Sequence, residues 1–332
     1  MATLKDVFWA KIRELHRSKN TGKSYWNWIE EYCRFYAGKD GVPVSPRTLG
    51  KDDVVNWLNY LTNHKRVSES AHEQAFYAIL FLYNKVCNMP LECVRSERPK
   101  PKVNVPVVMT QDEVTRLIGA LTGYYRLLAL IMYGCGMRRS EALALRLKDV
   151  DIGNRMLSIW HSKHKHSRTV PMPESIVPAL QRQIDYVLSL KDLDAKSNTG
   201  GVIIPRGDVT RRKASFDAAW YWLFPSEKLS RDPESTRIAR YHLDDSHLGS
   251  VITKAAKQAG IIKRVGCHTF RHSYATHLLL AGVNIREIQR LLGHRDVRTT
   301  MIYTHVSLFA DRTTPNPLDR LGIASQLPVN CG

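Results

Sequence analysis

Residues 94–110 read VRSERPKPKVNVPVVMT, and no other stretch constrains the fold as strongly. With three prolines and four basic residues, it lacks backbone donors and resists helix, which predicts an extended, basic linker. Helical periodicity stops before it and restarts directly after it. Upstream, apolar stripes at Tyr25, Ile29, Tyr32 and Tyr36, at Val54, Trp57, Leu58 and Leu61, and at Phe76, Ile79, Leu80 and Tyr83 have helical spacing. With the amphipathic opening MATLKDVFWAKIREL they predict a four-helix unit. Downstream, Thr110 and Glu113 stand at the T-x-x-E spacing of a capping box ahead of Val114, Leu117 and Leu121. The break falls near Pro99 to Val107, giving a helical domain over 1–92, a linker over 93–107 and a second domain over 108–332. A length of 332 residues suits two cores.

In the second domain, MLSIWHSKHKHSRTVPM (156–172) alternates at Leu157, Ile159 and Thr169, which predicts a small hairpin with a basic turn. Helices are expected over 173–190, 246–259, 269–281 and 285–292, with Gly282 and Gly293 as C-terminal stops. A stretch over about 192–245, rich in Gly, Arg and aromatics, interrupts this rhythm. The expected fold class is mainly α with a small antiparallel sheet, an α+β chain of two domains.

A formal net charge of +18 and a pI near 9.7 point to a polyanionic partner, because each neutralised phosphate releases condensed counterions. A membrane is not expected: the longest apolar run, 75–83, is far short of the roughly 20 residues of a spanning helix. The N-terminus has no cleavage-site pattern, so a cytoplasmic location is expected. Six cysteines without C-x-x-C spacing predict reduced thiols and no zinc site.

Four stretches concentrate cationic chemistry. In GCGMRRSEALALRLKDVD, Arg138 follows a Gly-x-Gly turn and opens a helix; its planar fork suits two oxygens of one phosphate, though a solvated first-turn arginine has the same sequence. Glu141, one turn on, holds Arg138 or caps the helix. In the hairpin turn, Lys163, Lys165 and Arg168 alternate with His161, His164 and His166. A flexible turn is poor metal-ligand geometry, so no metal is expected. A lysine at the tip either delivers a proton to a phosphate oxygen or only contacts it. In CHTFRHSYATHLL, His268 and Arg271 share one face at H-x-x-R spacing, while His272 is expected to point elsewhere and, with Tyr274 and His277, to pack or be solvated. In LLGHRDVRTTMIYTH, His294 follows Gly293, and Tyr303 is an aromatic in a polar segment: a packing residue or a nucleophile. With no carboxylate cluster, the set argues against metal-dependent nuclease chemistry. It suits phosphoryl transfer to a protein hydroxyl, with cations stabilising the charge.

The order Arg138, hairpin lysine, His268 with Arg271, LLGH ending at His294, then Tyr303 resembles the tyrosine recombinases, or phage integrase family, from the N-terminal helices to about Val306. The resemblance implies that Tyr303 attacks the scissile phosphate, giving a 3′-phosphotyrosyl enzyme and a free 5′-hydroxyl. Arg138 and Arg271 would clamp the non-bridging oxygens, Lys163 protonate the leaving oxygen, His268 act as general acid/base and His294 hydrogen-bond the phosphate. No cofactor is needed, because the covalent link preserves the bond energy. The N-terminal domain would clasp DNA, and four protomers would gather around two DNA sites.

The segment RRKASFDAAWYWLFPSEKLSRDPESTRIARYHLDD (211–245), with the phrases YTHV, ATHLL, LFPS and DPES, resembles the insert of integron integrases. These recombine attC sites, folded as single-stranded hairpins, with double-stranded attI. By that resemblance an extrahelical base sits near Trp160 and His242, with Pro233 lining a neighbouring pocket and Tyr241 and Arg240 completing the surround. Trp220, Tyr221 and Trp222 are expected to form the insert's own core. Two departures matter. The turn reads SKHKHSR where the subfamily has G-K-G-x-K-x-R, and counting back from Arg168 is the ground for preferring Lys163 to Lys165. Tyr241-His242 stands where two adjacent histidines are usual. The tail, about 307–332, docks on a neighbouring protomer or stays free. The rivals are a phage or transposon recombinase acting on duplex sites, a non-catalytic DNA-binding protein and a type IB topoisomerase.

Overall fold

A computed structural model describes residues 3–37, 41–92, 94–100, 106–160, 167–197, 201–203, 215–232 and 237–310, with side chains to Thr304. The N-terminal unit, Met1–Asn104, is built from helices α1 (Leu4–Glu14), α2 (Lys19–Phe35), α3 (Lys51–Asn63) and α4 (Glu69–Phe81). Thr3 and Asp6 form a reciprocal capping box on α1, and the Ser18 side chain accepts the Thr21 N–H on α2. Phe8, Ile12, Ile29, Tyr32, Trp57, Leu58, Leu61 and Ile79 fill the core. The fourth helix departs from the expected stripe: Ala75, Ala78, Ile79, Leu82 and Tyr83 are buried, whereas Phe76 and Leu80 are only half-buried. A π-helical turn, Leu82–Cys87, follows α4. It brings the Tyr83 hydroxyl within 3.0 Å of that of Tyr32.

The second unit, Val105–Gly332, opens with α5 (Gln111–Gly119), where Thr110 and Glu113 exchange bonds of 2.7 and 3.1 Å as a capping box. Next come α6 (Gly123–Gly134) and the short α7 (Arg139–Leu143). Helical periodicity gives no sign of α6, whose apolar residues run continuously because it is buried on several sides against the unit's main core. The expected hairpin forms from β2 (Met156–Ile159) and β3 (Arg168–Pro171), and β1 (Val150–Asp151) adds a strand to make an antiparallel sheet in the order β1-β2-β3. Leu157 pairs with Val170 and Ile159 with Arg168. Helix α8 (Val177–Lys196) runs past the expected end.

The insert holds a second antiparallel hairpin, β4 (Pro225–Arg231) with β5 (Ile238–His242), so the described residues carry two small sheets rather than one. Its core is Tyr221 with Val187 and Val202. As expected, Trp220 and Trp222 pack against Tyr221 there, half-buried, with cations over their outer faces: Lys148 is 3.5 Å from the Trp220 ring and Arg146 3.6 Å from the Trp222 ring. The chain then forms α9 (Asp245–Gln258), α10 (Cys267–Leu280), α11 (Ile285–Leu292) and α12 (Arg298–Ala310). Gly293 ends α11 in the left-handed region, at φ 65°. Among the described residues no helix is long and apolar enough to cross a membrane, and Cys33, Cys87, Cys135 and Cys267 are free and buried.

Candidate active site

Glu141 organises the site. The turn before α7 passes through Gly136 at φ 60°, where a side chain would meet the Tyr274 ring, and delivers Arg138 to the N-cap of α7. Glu141 accepts the Arg138 backbone N–H at 2.9 Å and its guanidinium at 2.6 Å, so it both caps the helix and holds the arginine. From β3, Arg168 reaches the same carboxylate at 2.7 and 3.1 Å and donates through Nε to the Leu291 carbonyl at 2.9 Å. Arg271 lies 3.9 Å away. Burial pushes the Glu141 carboxyl up, but the bonds and charges of Arg168 and Arg138 outweigh it and hold the group at about 2.

Arg271 is buried and fixed by its own donors, 2.7 Å to the Gly136 carbonyl and 2.6 Å to that of Leu292. It therefore ties the α7 turn to the end of α11. Burial, then the charge of Arg138, pulls its guanidinium down to about 10. His268, one turn earlier on α10, keeps an exposed edge, while partial desolvation by the surrounding protein, then the charges of Arg271 and Arg139, lowers its pKa. The Gly293 stop places His294 so that its Nδ1 lies 2.9 Å from Thr300 Oγ1, and burial with Arg271 and Arg138 holds it at about 4.

Tyr303 on α12 is 1 % exposed and packs with Ala275, Ile288 and Leu292. Its ring is nearly parallel to that of His294, at 6.4 Å and 12°. Burial raises its phenol, and Arg271 and Arg138 oppose that rise. Its oxygen is 3.1 Å from His272 Nδ1. The expectation that His272 points elsewhere is thus corrected: residues four apart share a helix face, so His272 follows His268 toward the site. Arg168, which the sequence marks only as part of a basic turn, joins the site through Glu141, a partner too distant in the chain to leave a local signal. The expected packing holds for His277, bonded to the Tyr133 hydroxyl and the Met109 carbonyl at 2.8 and 2.9 Å.

Beside the arginines a cleft of about 900 Å³ opens, lined by Arg138, Glu141, Trp160, Arg168, His294 and Arg295 among others. Trp160 is 64 % exposed at its edge and donates Nε1–H to Asp149 at 2.8 Å. Tyr241 and His242 lie on β5, the Tyr241 hydroxyl donating to Asp232 at 2.6 Å and the His242 ring standing edge-on to Trp222 at 5.2 Å. Arg240, expected to face a phosphate, is instead buried: it bonds Asp194 at 2.7 and 2.5 Å and the carbonyls of Ser226 and Glu227 at 2.8 and 3.0 Å. A buried guanidinium so matched belongs to the insert's framework. Lys163, its alternative Lys165 and Pro233 lie outside the described residues.

The helical chain gathers arginines, histidines and a buried tyrosine, with Arg138, Arg168 and His294 facing an open cleft, a cationic arrangement suited to phosphate. Residues 107–308 match the phage integrase family, and residues 4–92 match the phage integrase N-terminal SAM-like domain. An integrase/recombinase of Escherichia coli is 39% identical over 94% of this chain and 91% of its own length. A tyrosine recombinase of Thermosipho africanus is 28% identical over 87% and 90%. Among solved structures, the Tn1549 transposon integrase in complex with transposon right end DNA aligns over 94% of this chain and 99% of its own at a TM-score of 0.60 and 17% identity. The XerH site-specific recombinase bound to difH substrate aligns over 95% and 86% at 0.57 and 17%. The chain belongs to the phage integrase family. It is a tyrosine recombinase, an enzyme of site-specific DNA cleavage and rejoining.

Proposed function

We propose that this recombinase integrates and excises gene cassettes by recombining folded single-stranded attC hairpins with attI or attC sites. The observation that carries the reading is the insert, a hairpin bolted to α8 through Asp194 and Arg240, together with an exposed tryptophan at the edge of the cationic cleft. Duplex DNA keeps its bases stacked inside; a folded single strand offers extrahelical bases, for which exposed aromatic faces are receptors. Trp160 and His242 are assigned to such a base, with Pro233 lining a neighbouring pocket and Tyr241 in the surround.

In the same reading Tyr303 is the nucleophile, forming a 3′-phosphotyrosyl intermediate. Arg138 and Arg271 hold the non-bridging oxygens, His294 hydrogen-bonds the phosphate, His268 is general acid/base, and Lys163 protonates the leaving 5′-oxygen. Arg271 fits this role because burial, and after it the charge of Arg138, lowers its pKa, and a phosphate held between the two arginines offsets that repulsion. Four protomers assemble on two DNA sites. The second reading, a transposon- or phage-type recombinase of duplex sites, draws on the fold shared with the Tn1549 integrase.

Incubation with a labelled bottom-strand attC hairpin and with its duplex form, followed by denaturing electrophoresis, separates the two. A covalent band on the hairpin that exceeds the duplex band supports the integron reading. A band on duplex alone assigns the protein to the second.

A further inference from the structure

We propose that His272, in place of the His268 to which the resemblance gives the acid/base role, is the general base that takes the phenolic proton of Tyr303 as its oxygen attacks phosphorus; the inference rests on the reading of Tyr303 as nucleophile and revises the part given there to His268. The His272 Nδ1 stands 3.1 Å from that oxygen, within reach of a direct proton transfer, with ring centroids 5.7 Å apart and planes inclined by 51°. Because the tyrosine is buried among Ala275, Ile288 and Leu292, a protein group is the natural first acceptor of its proton. His294 engages Thr300 through Nδ1, and His268 is the exposed member of the α10 face.

The groups around His272 are His268 and Arg271 on its own helix, Tyr303 on α12 and His294 in the turn before it. Burial, His268 and Arg271 hold its imidazole at about 4, so at neutral pH it is uncharged. In the tautomer protonated at Nε2, Nδ1 is an acceptor facing the phenol. Such a base is too weak while the site is empty of anion. A phosphodiester seated between Arg138 and Arg271 reverses the local field, raises the imidazole and stabilises the imidazolium that forms. The substrate thus switches on the base, which protects the nucleophile from ionising without DNA.

The step balances. The Tyr303 O–H bond breaks and its proton moves to Nδ1. The tyrosine oxygen–phosphorus bond forms as the bond from phosphorus to the 5′-oxygen breaks, and that oxygen leaves with a proton from Lys163. In religation the incoming 5′-hydroxyl returns its proton to the lysine, and the imidazolium returns its own to Tyr303.

The test is single-turnover adduct formation by the full chain on whichever DNA form it cleaves, across pH 5.5 to 9. It compares the unaltered protein with His272→Gln and His272→Asn, the second keeping a hydrogen-bonding atom near the place of Nδ1. The inference predicts rates lower by about 10²–10⁴-fold with DNA affinity unchanged. The loss should shrink as pH rises and when Tyr303 is replaced by difluorotyrosine, whose phenol ionises more easily. Rates within about threefold of the unaltered protein, or a defect that neither pH nor fluorination relieves, overturn the base role while leaving the nucleophile in place. If the unaltered protein forms no adduct through Tyr303 on either DNA form, the nucleophile reading fails and this inference falls with it.

Discussion

Two buried carboxylates, Glu141 and Asp194, each gather arginine in the second unit, yet they build opposite things. At Asp194 the arithmetic is even: Arg240 gives it two bonds, sends further donors to backbone carbonyls, and has its pKa raised by the bond to Asp194. At Glu141 the cations outnumber the anion: Arg168 and Arg138 bond it, Arg271 stands 3.9 Å away, and Arg271 is pulled down to about 10 by burial and by Arg138. A matched pair fastens one element to another. An unmatched cluster keeps a cationic potential that an incoming anion relieves, which is how a site differs from a staple.

That contrast breaks most visibly in stability. Asp194→Asn leaves Arg240 as an uncompensated buried cation and should cost about 3–5 kcal/mol, read by urea denaturation. Replacing both partners, Asp194→Leu with Arg240→Met, should return most of the loss and leave Tyr303 chemistry intact. The same treatment of Glu141 and Arg168 should restore folding without restoring cleavage, because Arg138 then lacks its anchor. Equal recovery of activity at both pairs would erase the distinction.

Next in size is Arg271→Lys, which keeps the charge but loses the planar fork. Adduct formation should slow by about 10²–10³-fold. Arg240→Lys should stay within a few-fold of the unaltered rate in the same gel assay.

The smallest effect is the acid dependence of stability. His272 and His294 have folded pKa values of about 4, below the ordinary 6.5. Since the unfolded chain binds protons first, their contribution is complete above 6.5 and is lost as pH falls through about 4. Glu141, lowered from 4.5 to about 2, adds a later loss at more acid pH. Asn at positions 272 and 294 should flatten denaturation midpoints between pH 6.5 and 4; an unchanged slope would remove these histidines from the account.

Much of this was legible in the sequence because it is local. The Thr110–Glu113 cap, the Gly293 stop and the stripe of α3 are each written within a few residues. Arg138, Arg271, His294 and Tyr303 are named from their order along the chain, which matches the family pattern, and the fold brings them near one another. What stayed hidden depends on partners distant in the chain. Arg240 looked available because Asp194, 46 residues away, gives no local sign of pairing with it. Arg168 meets Glu141 across 27 residues through strand pairing. The π-helical turn after α4 left no periodic mark. His272 was different: its place four residues from His268 was readable, and the helix face should have included it.

In the proposed mechanism the cationic cluster around Glu141 delivers a phosphate to Tyr303. The most direct test is to trap the DNA adduct, digest it with trypsin and sequence by mass spectrometry the peptide that begins at Thr299. A nucleotide phosphate on Tyr303 is expected, with no adduct from Tyr303→Phe although DNA binding persists. A nucleotide on another residue, or an adduct that survives Tyr303→Phe, would contradict it.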